Sequence, residues 1–169
     1  MLGYYEAFPQ HVHKITHFAT SVSSKKVQEA LLQLLFRLNK ETVRLEDFGT
    51  PSMKNCVAVF ELGVAEGNGF TYLDDEEKDK ILKTMNKTPF QILDVLCAMR
   101  FYRIENEARR PLKFDYYMLR FTFNQKFLEV QLFHERGSMH ILPEELTEFI
   151  IRKTNEAFGK KVLKPLKMA

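Results

Sequence analysis

A chain of 169 residues, 45% hydrophobic and 28% charged, fits one domain or two very small ones with a substantial apolar core, and no segment has the composition of a disordered one. Its 25 basic and 22 acidic side chains leave a net charge of +3, too balanced to mark a nucleic-acid or membrane-surface protein by itself. Fifteen Phe and six Tyr against no Trp point to aromatic packing in sheets, and no stretch reaches the ~20 apolar residues needed to cross a bilayer.

The first element is a strand carrying His11, His13, Ile15 and His17 and ending near Thr20. Ser23 or Ser24 then caps a helix over about 25–39, whose Val27, Leu31, Leu34, Leu35 and Leu38 recur at three and four residues. The pattern weakens from Glu41, with a turn at Gly49-Thr50-Pro51-Ser52. The run from Cys56 to Val64 reads as a strand covered on both faces, and Glu66-Gly67-Asn68-Gly69 returns the chain into a short partner strand at 70–73.

Two capping signatures follow. Asp74 with Glu77 has N-cap and N3 spacing and predicts a helix over about 75–86. Thr88, Pro89 and Gln91 repeat that logic and predict a second helix over 89–99. Beyond Arg100 the period changes. Phe101 to Ile104 reads as a strand, 106–111 as a connection and 113–123 as a longer strand with Tyr117, Leu119, Phe121 and Phe123 on one face. Leu128, Val130 and Leu132 alternate with polar residues as a further strand, and Pro143 opens a last helix that ends at Gly159. The fold class is α+β, mainly antiparallel sheet with helices packed against it, as a single domain over 1–169.

The order of elements across 70–123 resembles a winged-helix module. In that family the helix at 89–99 would face a DNA groove, and Arg109, Arg110 and Lys113 would sit on or beside the wing, with basic side chains contacting phosphates. The chain departs from the family where Phe90 to Met99 offers only Gln91 and Asp94 as polar residues, and Asp94 repels phosphate.

Motifs for enzymatic chemistry are sparse. Cys56 and Cys97 form no C-x-x-C pair and sit in apolar surroundings, Cys97 within the expected helix. They read as buried free thiols of a reducing compartment, and the N-terminus lacks a secretory signal, so the expected location is cytoplasmic. There is no G-x-S-x-G elbow and no phosphate-cradling loop. No cofactor is expected. His11 and His13 share a face if their segment is a strand, and with His17, His134, Glu135 or His140 they supply a metal-dependent hydrolase alternative.

The segment 100–126 interleaves Arg100, Arg103, Arg109, Arg110, Lys113, Arg120 and Lys126 with Phe101, Tyr102, Phe114, Tyr116, Tyr117 and Phe121. Exposed rings beside cations stack on unpaired bases and neutralise phosphates. The expected role is therefore non-catalytic recognition of nucleic acid or a nucleoprotein, with Arg103, Arg109, Arg110, Lys113 and Arg120 as contact residues. Protein–protein interaction, or a homo-oligomeric scaffold without nucleic acid, is the alternative. No membrane partner is expected.

Overall fold

The computed structural model describes residues 1–49 and 54–166. In chain order these form β1 (Lys14–Thr20), α1 (Ser24–Leu38), β2 (Thr42–Arg44), a single 3-10 turn (Leu45–Phe48), β3 (Cys56–Glu66), β4 (Gly69–Tyr72), α2 (Asp75–Lys87), β5 (Ile92–Glu105), β6 (Ala108–Phe123), β7 (Phe127–Gly137), α3 (Pro143–Phe158) and β8 (Leu163–Pro165). The architecture is α+β. All strands join one antiparallel sheet of order β2-β3-β5-β6-β7-β1-β8, with β4 also pairing to β3. No helix among the described residues is long and apolar enough to cross a membrane.

The helices start where the capping residues require. Ser23 Oγ accepts the Lys26 N–H ahead of α1, and Asp74 Oδ1 accepts the Glu77 N–H ahead of α2. Glu77 does not complete a capping box, because the Asp74 N–H donates to Tyr72 O instead. Pro143 occupies the first turn of α3, and Gly159 closes it in the left-handed conformation.

One face of the sheet and the apolar stripes of the three helices bury a continuous core. Phe60, Leu62, Val95, Cys97, Met99, Tyr117, Leu119, Phe121, Val130 and Leu132 point into it from the central strands, and Leu31, Leu35, Ile81, Met85, Phe149 and Ile150 from the helices. Side-chain amides, buried at Gln28 and half-buried at Asn39 and Asn155, tie the helices to neighbouring segments. Gln28 brackets the Phe90 backbone, Asn39 joins the end of α1 to Leu62 and Leu73, and Asn155 holds Val162 and Leu163.

Residues 89–99 do not form the expected helix. From Ile92 the chain runs as the long central strand β5, hydrogen-bonded to β3 on one side and β6 on the other. A segment apolar on all sides is buried equally well as a helix or as a strand, and here both neighbouring strands supply pairing partners. The groove-facing helix of a winged-helix arrangement is therefore absent, and Cys97 is a strand residue.

Of the expected connection at 106–111, only Asn106 and Glu107 form a turn, and 108–111 belong to β6. Glu105 and Ala108 close a two-residue turn in which Asn106 and Glu107 both have positive φ, so β5 and β6 form one long ribbon. β1 begins at Lys14, leaving His11 and His13 before it. The turn expected over 49–52 lies partly outside the described residues. β2 and β8, three residues each, escape a periodicity-based reading.

The N-terminal residues act as a strap. β3 and β5 separate beyond Leu62, and Gly3 fills the gap: its N–H donates to Ala65 O, and its carbonyl accepts from Asp94 N. Gly3 has φ +86°, and a Cβ there would press on Ile92 O and the Phe90 ring.

Candidate nucleic-acid interface

Two buried carboxylates on the central strands organise the surface around them. The first is Asp94 on β5, directly opposite Arg120 on β6. Arg120 Nε donates to Asp94 Oδ1 at 2.7 Å and its Nη2 to Oδ2 at 2.8 Å. Tyr5 of the strap closes the network, its N–H on Asp94 and its carbonyl accepting from Arg120. The guanidinium lies 4.4 Å from the Phe8 ring centre and 5.2 Å from that of Tyr4. Hydrogen bonding to Asp94 pushes the Arg120 guanidinium up from its ordinary value. Its donors are committed within the fold, and its side chain is only 18% exposed.

The second is Asp115 on β6, fully buried at the end of the sheet. Its Oδ1 accepts the Met139 N–H at 2.6 Å and lies 2.8 Å from His134 Nε2. Its Oδ2 accepts the His140 N–H at 2.9 Å and lies 3.2 Å from His140 Nδ1. Four polar partners thus surround one carboxylate, and three of them fix the loop between β7 and α3. That loop has strained geometry: Gly137 has φ +115° and Met139 φ +54°. Tyr117, whose hydroxyl donates to Ile141 O, packs its ring edge against His134, and burial pushes its phenol up from the ordinary value.

His13, His134 and His140 gather near Asp115 without forming the metal set of the hydrolase alternative. His13 Nδ1 accepts the His134 backbone N–H at 2.9 Å, and its ring stacks on Phe133. His134 and His140 are both turned to Asp115, while His17 contacts Glu129. His11 is exposed before β1. Among the described residues no three His, Cys, Asp or Glu side chains converge to hold a metal ion. Ser138, His140 and Asp115 do not form a nucleophilic triad either. Ser138 Oγ, at 3.1 Å, and Asp115 Oδ2 meet the same ring nitrogen, whereas the triad needs them on opposite nitrogens.

The basic-aromatic segment divides according to strand alternation. Phe101, Tyr117 and Phe121 are core residues. Tyr102, Phe114 and Tyr116 lie on the other face, half-buried or exposed, with the Phe114 and Tyr116 rings 5.1 Å apart. Phe114 is 43% exposed.

At the outer end of the ribbon Arg103 and Arg110 are directly opposite each other. Like charges in such a pair are destabilising. Only Arg110 has a nearby acid, Glu105 at 3.8 Å. Arg109 reaches over the Tyr102 ring and donates to Thr42 Oγ1. Arg100 pairs with Glu61. Arg103, Lys113 and Arg136 are exposed, and no carboxylate lies within salt-bridge distance of them among the described residues. Of the five expected contact residues, the structure thus gathers Arg103, Arg109, Arg110 and Lys113 on one exposed ribbon and places Arg120 in a separate buried network.

No family model, curated protein or solved structure matches this chain. Arg136 has no sequence signal, because only strand pairing sets it opposite Tyr116. Asp115 carried a signal: it is the one acid in the inward register of 115, 117, 119, 121 and 123. A cavity of about 690 Å³ between α3 and β8 is lined by Phe18, Ile151, Leu163 and Pro165 with Arg152 and Lys161. Its Asn155 is already spent on the Val162 and Leu163 backbone, and among the described residues no buried unpartnered side-chain polar atom lines it.

Proposed function

We propose that the protein binds nucleic acid through the β5–β6 ribbon and the adjoining open face of the sheet. The observation that carries this reading is the opposition of Arg103 and Arg110 on an exposed ribbon, an arrangement that opposes folding and that a polyanion would relieve. Arg109, over the Tyr102 ring on the opposite face of the ribbon from Arg103 and Arg110, adds a cation beside that ring, and Lys113 and Arg136 add two more along the ribbon and on β7. Tyr102, Phe114 and Tyr116 supply ring faces or edges for unpaired bases, which favours single strands over duplexes. No catalytic step is part of this reading. The buried free thiols Cys56 and Cys97 support a cytoplasmic setting for it.

The test is fluorescence anisotropy with labelled 15-nucleotide single strands and the matching duplex, using nuclease-treated protein. Wild type binds the single strand more tightly, and Arg103→Glu with Arg110→Glu loses at least tenfold in affinity while its thermal unfolding stays cooperative. Absence of binding at low salt would reject the reading and assign the surface to a protein partner.

A further inference from the structure

Where the ribbon meets β7, a shallow cleft of about 340 Å³ is lined by Lys113, Phe114, Arg136, Gly137 and Ser138. Resting on the nucleic-acid reading above, we infer that this cleft is a phosphate subsite, holding one phosphate group of a strand whose neighbouring base lies on Phe114.

Three independent features of the fold converge on it. Lys113 and Arg136 bring two exposed cations to one concavity, and neither has a carboxylate within salt-bridge distance among the described residues. A guanidinium and an ammonium together match the charge and the fork geometry of a phosphate. Phe114, with 43% of its surface exposed, forms the apolar wall, a costly placement for a ring that has only Tyr116 as an aromatic neighbour among the described residues.

The third feature is how the floor of the cleft is held. Gly137 packs so closely on β6 that a Cβ would strike Asp115 Oδ1 and the Phe114 carbonyl. Asp115 then fixes the following residues through the Met139 and His140 N–H groups and the two imidazoles. Ser138 is left on the surface between these anchors, its hydroxyl 3.1 Å from His140 Nδ1 and lining the cleft. The loop is therefore shaped before any ligand arrives, which lowers the ordering entropy that binding would otherwise lose. Two backbone N–H groups and two imidazoles face the Asp115 carboxylate and offset part of its repulsion toward an anion in the cleft.

The experiment uses the full chain, wild type and Lys113→Gln/Arg136→Gln, with two probes: inorganic phosphate followed by titration calorimetry, and oligouridylate of 15 nucleotides followed across a salt series. Both substituted residues are exposed, so matching circular dichroism spectra verify that the variant folds. If the site takes strand phosphates, the variant binds oligouridylate at least tenfold more weakly and its salt slope falls by about 0.7, the value for one phosphate of a single strand. If it also accepts free phosphate, wild type shows saturable heat that the variant loses. Unchanged oligouridylate affinity and slope in the variant, with no phosphate heat in wild type, would overturn the subsite and leave the broader reading intact. Phosphate heat without oligouridylate binding would do the reverse, supporting an anion site and rejecting the nucleic-acid reading.

Discussion

Asp94 and Arg120 meet across the two central strands in a two-point ion pair, and the same two side chains grip the backbone of Tyr5. One residue pair thus locks the ribbon to the N-terminal strap. Removing either partner leaves a buried charge uncompensated, so Asp94→Ala or Arg120→Ala should each destabilise the protein by about 3–5 kcal/mol. The Asp94→Ala/Arg120→Ala double variant should lose less than the sum of the two. Urea unfolding of the three variants checks this, and a loss under about 1 kcal/mol for either single variant would contradict the assigned role.

The sequence made the helices legible and the centre of the sheet illegible, for one physical reason. Helices α1, α2 and α3 announce themselves through nearby residues: Ser23, Asp74 and Pro143 at their starts and apolar positions at three- and four-residue spacing. Residues 89–99 carry an equally good start signal in Thr88, Pro89 and Gln91, yet their conformation is decided by partners far along the chain. Arg120 lies 26 residues beyond Asp94, and Phe90 is held by Gln28 from 62 residues away. The ribbon's arginines were visible as a cluster, but their opposition depends on a tight turn at Asn106-Glu107 without glycine. The histidine cluster was half visible. His13, His134 and His140 stood out, whereas the carboxylate that orients two of them is Asp115, recognisable only as an acid in an apolar register.

Opposed arginines make an unusual prediction for Arg103→Glu. The substitution places an acid opposite Arg110, so the fold should be unchanged or more stable by about 0.2–1 kcal/mol, while nucleic-acid affinity drops. Parallel chemical denaturation and anisotropy measure both. Destabilisation together with undiminished binding would mean that Arg103 serves the fold.

Gly137→Ala tests the floor of the cleft. A methyl group there collides with Asp115 and the Phe114 backbone, at a φ of +115° that alanine avoids. The variant should lose about 1–3 kcal/mol of stability. A thermal midpoint equal to wild type would show that the loop closes over Asp115 in some other way.

Alkaline pH should weaken the fold through Cys97 and Tyr117. Burial raises the Cys97 thiol above its ordinary 9.0, and burial with the nearby Asp115 charge raises the Tyr117 phenol above its ordinary 10.0. Both groups therefore keep their protons in the fold and release them on unfolding. Their contribution is complete below about pH 9 and declines as pH rises, by about 1.4 kcal/mol per group for each pH unit above its unfolded value. Unfolding free energies from pH 8 to 11 should fall more steeply for wild type than for Cys97→Ala. Equal slopes would contradict the buried, protonated thiol.

The central claim is that an exposed basic ribbon binds single-stranded nucleic acid, and the salt dependence of wild-type binding to a 15-nucleotide single strand tests it most directly. Arg103, Arg109 and Arg110 on one phosphate each, with Lys113 and Arg136 sharing a fourth, predict a plot of log K against log salt with a slope of roughly −2.8, at ~0.7 per neutralised phosphate. A slope near zero, or no binding at low salt, would contradict the account.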